Sequence, residues 1–183
     1  MFSEELVPTE GFYVAVYDEQ SPANVLNYLT SGLEAAKVAA RRDGLEEHHS
    51  LVIFNEQLMS ASAKGEALSW TLLFDGIFKA HLKIGDDILK ETITEIRNLG
   101  ENSIVCDLEC PSGRIMISCL SRMGRPCRPI AVVSPGNYRV SVNRNEDLES
   151  THFFLESPSE LQANEEADWR ILVQRIVSRA NDA

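Results

Sequence analysis

Residues 103–121, SIVCDLECPSGRIMISCLS, contain the clearest strand pattern of the chain and guide the interpretation of its fold. Apolar residues recur at every second position on both sides of Ser112 and Gly113, which is typical of two half-buried strands. We therefore predict an antiparallel hairpin that turns at these two residues. In this register six side chains lie on one face, because side chains alternate along a strand. The cross-strand pairs are Cys110 with Ile115, Leu108 with Ile117, and Cys106 with Cys119.

Other β-rich runs predict further strands, two pairs of which are joined by turn sequences. Single strands are expected at residues 12–18, 50–54 and 152–156. Hairpins are expected to join 69–74 to 77–84 through Asp75 and Gly76, and 130–133 to 138–142 through residues 134–137. Asp-Gly between β-prone runs is a strong signal for a two-residue hairpin turn.

Three segments have apolar residues spaced three and four positions apart, as in amphipathic helices. They are residues 22–42, 87–99 and 165–179. Ser21 as N-cap and Pro22 at the first helical position favour the first of them. The third would carry one apolar face of Trp169, Leu172, Val173, Ile176 and Val177. We therefore predict one α+β domain over residues 1–183, an antiparallel sheet or β-sandwich of about seven or eight strands with three packed helices.

The charge of the chain is unevenly distributed. The formal net charge is -11, yet residues 110–145 contain six arginines and no acidic residue. Residues 145–168, here called the acidic segment, contain eight acidic residues and no Lys or Arg. Three interpretations remain open, and the least favoured is that the arginine segment binds nucleic acid. The charges either form an ordinary solvated surface, with the arginines paired to carboxylates elsewhere, or the acidic segment steers a basic partner into contact. The net charge opposes binding to nucleic acid.

The sequence contains no strong motif for catalysis, metal binding or a cofactor. Glycine-rich nucleotide loops and nucleophile elbows are absent, and the spacing of the four cysteines does not fit a structural zinc site. We expect free thiols, with Cys106 and Cys119 in the core. Cys127 is flanked by prolines and two arginines, which would favour a reactive thiolate. A membrane span and a secretory signal are also missing from the sequence, so we expect a cytoplasmic protein.

One part of the sequence resembles a known family. Residues 114–155 combine an apolar strand with the turn sequence SPGNYRV at 134–140 and a late aromatic pair, Phe153 and Phe154. This layout resembles small bacterial β-sandwich proteins that inhibit a competence-associated nuclease. The resemblance covers roughly a quarter of the chain. It implies an acidic protein that caps a nuclease, and the predicted first and third helices have no counterpart in it.

These observations favour a binding protein over an enzyme. We predict an inhibitor or immunity-type protein that neutralises a basic toxin or nuclease by protein–protein contact. The expected contact residues lie in the acidic segment and are Glu146, Asp147, Glu149, Glu156 and Glu160. The alternatives are a small enzyme or ligand-binding domain with a site near Cys127, and a structural or regulatory adaptor.

Overall fold

The described part of the chain consists almost entirely of strands. The computed structural model describes residues 2–9, 13–20, 38, 41–42, 44, 64–72, 76–90, 103–119, 128–145, 147 and 166–178. Within these ranges the strands are β1 (Phe2–Thr9), β2 (Tyr13–Asp18), β3 (Ala67–Thr71), β4 (Gly76–Ile84), β5 (Ile88–Leu89), β6 (Ser103–Cys110), β7 (Arg114–Cys119), β8 (Ala131–Val132), β9 (Gly136–Arg144) and β10 (Trp169–Val177). No helix in these ranges is long and apolar enough to cross a membrane.

The strands form two sheets. The larger sheet has the order β1-β4-β10-β9-β6, with the short β5 also paired to β10, and the smaller sheet has the order β3-β2-β7-β8. Neighbouring strands are antiparallel, except that β10 runs parallel to β4 and β5. Strand β10 therefore lies inside the larger sheet, between β4 and β9.

Apolar side chains of both sheets share one core. Its centre is Trp169 of β10, which is fully buried. The Trp169 ring stacks on Phe78 of β4 with centroids 5.0 Å apart, and meets Trp70 of β3 edge-to-face at 5.1 Å. Since Trp70 belongs to the smaller sheet and Phe78 to the larger one, these three rings join the two layers.

The predicted α+β class with three packed helices is wrong. The helix predicted over 165–179 is replaced in the described residues by strand β10, Trp169–Val177, and Trp169, Ile171 and Val173 are buried at alternate positions. The segment fits both periods because its apolar residues lie two as well as three and four positions apart. Because this segment pairs with neighbouring strands on both sides, it adopts β structure.

The other two predicted helices are only partly within the described residues. The segment predicted as a helix over 87–99 begins instead with strand β5, whose two residues pair with Ile176 and Val177. Of the predicted helix over 22–42, the structure describes only Val38, Arg41 and Arg42, which have helical backbone.

All three predicted hairpins are also wrong, because in each case the two strands belong to different sheets. The separated pairs are β3 and β4, β6 and β7, and β8 and β9. The six side chains assigned to one face of residues 103–121 are nevertheless all buried. They are divided between the two sheets instead of lying side by side in one sheet. Burial alternates along the second half of β6 as predicted, whereas every residue from Ile115 to Cys119 of β7 is buried. The strand predicted at 12–18 is confirmed as Tyr13–Asp18, whereas 50–54 and 152–156 lie outside the described residues.

Candidate functional site

The acidic segment joins the neighbouring ends of two adjacent strands in the larger sheet. It connects β9 to β10, which are antiparallel neighbours, and the last register pair before it is Arg144 with Trp169. Beyond that pair, the Asn145 amide donates a hydrogen bond to the Asp168 carbonyl oxygen over 2.8 Å. We call this hydrogen-bonded pair the neck. The chain therefore leaves the sheet at Asn145 and returns to it at Asp168, directly beside the point where it left.

The described acids of this segment differ in exposure. Asp147 and Glu166 are exposed, but Asp168 is completely buried. The Asp168 carboxylate oxygen Oδ2 accepts a hydrogen bond from the backbone amide of Lys79 over 2.6 Å. Asp168 therefore belongs to the interior and not to the acidic surface.

Most of the predicted contact residues lie outside the described part of the chain. Glu146, Glu149, Glu156 and Glu160 lie outside the described residues, as does Cys127. Of the five, the structure describes Asp147 alone. Whether these carboxylates contact a partner stays a prediction.

Two arginines of the acid-free stretch pair with carboxylates from other parts of the chain. Arg114 lies 2.6 Å from Glu19, which follows β2. Arg139 of β9 makes two hydrogen bonds to Asp107 of β6, at 2.7 and 3.1 Å. For these two arginines the structure supports the interpretation that their charges are balanced internally, so they are poor candidates for a phosphate-binding surface.

The described cysteines are buried and not disulfide-bonded, which confirms the placement of Cys106 and Cys119 in the core. Burial raises the pKa of Cys106 to about 11, with a further contribution from Asp107. Burial also raises the pKa of Cys110, together with a hydrogen bond from its thiol to Asp18. Because the thiolate is the nucleophilic form, neither Cys106 nor Cys110 is set up for covalent chemistry.

Asp18 is a buried carboxylate that holds the connection between β6 and β7. Its oxygens accept hydrogen bonds from the Cys110 thiol at 3.0 Å, the Ser112 hydroxyl at 2.7 Å and the Gln20 amide at 2.9 Å. The Ser112 amide also points to this carboxylate. The connection is only three residues long and leads from one sheet to the other. These hydrogen bonds therefore stabilise it.

A group of charged side chains around the exposed carboxylate of Glu4 links β1 to β4. The Lys79 ammonium is buried and lies 3.1 Å from the Glu4 carboxylate, which also lies 3.0 Å from His81 Nε2. The hydrogen bond from Lys79 is the main cause that lowers the pKa of Glu4, and His81 adds to it. Among the residues that the structure describes, no group of three or more His, Cys, Asp or Glu side chains could hold a metal ion.

The turn sequence that carries the family resemblance has a structural explanation. The Tyr138 hydroxyl, at the start of β9, donates a hydrogen bond back to the carbonyl oxygen of Ser134. A tyrosine that bonds to the backbone a few residues upstream fixes the corner of a β-sandwich. The turn is therefore a corner between two sheets and not the end of a hairpin.

The fold and these contacts define a β-sandwich in which an acidic connection joins the neighbouring ends of β9 and β10. A solved structure described as crocagin biosynthetic gene J matches with a TM-score of 0.62 and 20% sequence identity, over 96% of this chain and 97% of that chain. At this identity the match shows a common fold. No protein-family model and no curated protein matches the sequence.

A second solved structure also matches. It is ComJ from Bacillus subtilis, described as an inhibitor of the DNA degrading activity of NucA, with a TM-score of 0.45 and 9% identity over 96% of this chain and 98% of that chain. This second match is to an inhibitor of a DNA-degrading activity, which is the kind of protein that the turn sequence resembles. The low score and identity supply no correspondence between individual residues.

Sequence reasoning missed the roles of Asp168 and Lys79. Asp168 was counted with the acidic surface, because charge runs carry no information on burial. One signal was present: Asp168 directly precedes Trp169, the largest buried residue of β10.

Proposed function

We propose that the protein is an inhibitor or immunity-type protein that binds a basic protein partner, such as a toxin or nuclease, in the cytoplasm. The proposed contact surface is the acidic segment, with Glu146, Asp147, Glu149, Glu156 and Glu160 as its contacting carboxylates. The proposed mode of action is obstruction by contact, without a chemical step.

The observation that carries this proposal is the neck. Because Asn145 and Asp168 are hydrogen-bonded, the chain that carries the many carboxylates leaves the larger sheet and returns to it at one place. Like charges that lie within a Debye length of one another, about 8 Å at physiological ionic strength, add their fields. A concentrated negative field accelerates encounter with a positively charged protein and orients it before contact.

Four charged side chains of the described region make contacts within the sandwich itself. The carboxylates of Asp18 and Asp168 bond to backbone amides, and Arg114 and Arg139 pair with acids. These contacts stabilise the sandwich. ComJ is an inhibitor by its own description, but the proposal rests on the charge geometry of this chain.

The experiment begins with affinity capture of partners from the native cell, followed by binding kinetics with the strongest interactor. We expect a basic partner whose association rate falls as salt rises. Replacing Glu146, Asp147 and Glu149 together by Lys should lower the association rate more than it raises the dissociation rate. If the partner is a nuclease, the same variant should also inhibit DNA cleavage less.

A matched control separates local steering from net charge. Glu5, Asp86 and Glu109 are exposed acids outside the acidic segment, so their replacement by Lys changes the net charge equally. The control variant should keep most of the association rate. An acidic or neutral main interactor, or equal losses in both triple variants, would contradict the proposal.

A further inference from the structure

Strand β6 ends the larger sheet within the described residues, with β9 on one side of it. The Glu109 amide donates a hydrogen bond to the Gly65 carbonyl oxygen over 2.9 Å, so it points away from β9. In an antiparallel pair successive residues alternate between facing the partner strand and facing away, so the backbone N–H and C=O groups of Asp107 and Val105 also point away from β9. The contact between the Asp107 and Arg139 side chains fits this arrangement, because side chains lie closer in register pairs that exchange no backbone hydrogen bonds.

Gly65 covers only one end of this outer side of β6. Its φ is +73°, and a Cβ added there would lie 2.6 Å from the Asp107 carbonyl oxygen, so only glycine lets the backbone approach β6 this closely. Among the residues that the structure describes, no backbone group pairs with the outward N–H and C=O of Val105. We call Ser103–Asp107 the open edge, and it is about 16 Å long at roughly 3.3 Å per residue. An unpaired strand edge is a template for a further strand.

We propose that the open edge receives an extended segment of the basic protein partner, which adds to the larger sheet as a further strand. This inference rests on the proposed function and gives it a second contact surface. Main-chain hydrogen bonds to β6 supply affinity in this mode of binding, and side chains at alternate positions of the added segment supply specificity.

The side chains of β6 indicate the chemistry of the added segment. Asp107 and Glu109 are exposed at alternate positions, and the Asp107 side chain remains 48% exposed beside Arg139. Opposite charges on neighbouring strands are stabilising, so these carboxylates favour Lys or Arg on the added strand. Ile104, on the other face of β6, is only partly buried at the margin of the core and favours an apolar neighbour. A second copy of β6 fits less well, because its sequence SIVCDLEC offers two carboxylates and no cation.

The test combines amide hydrogen exchange with binding kinetics, using the strongest interactor captured from the native cell. In the free protein we expect the Val105 amide to exchange quickly and the Leu108 amide, which faces β9, to exchange slowly. Binding of the partner should slow exchange at Val105 about tenfold or more.

A proline variant tests the same edge by kinetics. Val105→Pro removes the outward N–H and leaves the hydrogen bonds to β9 in place, since proline is tolerated on an edge strand where its nitrogen faces solvent. Val105→Ala is the matched control, because it also removes the branched side chain but keeps the N–H. We expect Val105→Pro to accelerate dissociation about tenfold relative to Val105→Ala, with association rates equal to within about twofold, because strand pairing forms after encounter.

Four results would overturn the inference. They are slow exchange of the Val105 amide in the free protein at every concentration, protection that rises with protein concentration without the partner, exchange at Val105 that the bound partner leaves unchanged, and equal dissociation rates of the folded Pro and Ala variants. The second result would assign the edge to another copy of this chain. Should Val105→Pro not fold, exchange in the unaltered protein decides alone. Failure of the proposed function looks different, since the main interactor would then not be basic or the acidic-segment variant would associate unchanged, whatever happens at Val105.

Discussion

The central prediction concerns Trp169, whose replacement should be among the most destabilising single changes in the chain. The side chain is fully buried, stacked on Phe78 and in edge contact with Trp70. Truncation of a buried aromatic residue to Ala costs about 3–5 kcal/mol, and each aromatic pair contributes about 0.5–1.5 kcal/mol beyond its buried area. We therefore expect Trp169→Ala to cost about 5 kcal/mol, enough to unfold a protein of ordinary stability.

The assay is a urea titration followed by far-UV circular dichroism, with stability taken from the midpoint and slope. Trp169→Phe keeps much of the apolar volume and should lose only about 1–2 kcal/mol. The chain has two tryptophans, so this variant also leaves Trp70 as the single fluorophore of the unfolding transition. A fold that retains its stability in Trp169→Ala to within about 1 kcal/mol would show that the ring is not part of the core.

Neighbouring positions of β10 test the strand against the helix that the sequence predicts. In the strand, Ile171 is buried in the core and Leu172 is only partly buried on the opposite face. We expect Ile171→Ala to cost about 2–5 kcal/mol and Leu172→Ala clearly less. In a helix Leu172 would lie on the same face as Trp169. A larger loss for Leu172→Ala than for Ile171→Ala would therefore refute the strand assignment.

Three further predictions follow from individual contacts. Gly113 has φ of +69°, and an added Cβ would lie 2.1 Å from the Val133 carbonyl oxygen, so Gly113→Ala should cost about 2–4 kcal/mol in the same titration. Cys106 and Cys119 should resist thiol labelling in the native protein and react fully after denaturation, as measured by mass spectrometry; rapid native labelling or a disulfide between them would contradict this. The pKa of Glu4 is lowered below 4.5 by folding, so its contribution to stability is complete above that pH and is lost as the pH falls through the lowered value. Glu4→Gln should accordingly flatten the decline of stability in acid, and an unchanged pH profile would show that its ion pairs do not matter.

Part of this architecture could be derived from local sequence. The alternation in residues 103–121 correctly placed Cys106, Leu108, Cys110 and their counterparts in the core, because the direction of a strand side chain depends only on the pleat of its own backbone. The charge map is likewise a property of the sequence itself. It marks residues 145–168 as acidic, and the structure joins the two ends of this segment at the neck.

Other features were decided only by tertiary structure. A turn such as Ser112-Gly113 can join two strands of one sheet or carry the chain to the opposite sheet, and both arrangements bury the same alternate residues. The choice depends on partners far away in sequence: Tyr138–Val140 beside β6, and Val14–Asp18 beside β7. Strand β10 became β structure for the same reason, since β4 and β9 provide its hydrogen bonds. Asp168 is buried and is not part of the acidic surface, because its carboxylate accepts a hydrogen bond from a backbone amide at the end of the ladder between β4 and β10. Charge and periodicity are local properties, whereas pairing and burial depend on which distant segments meet.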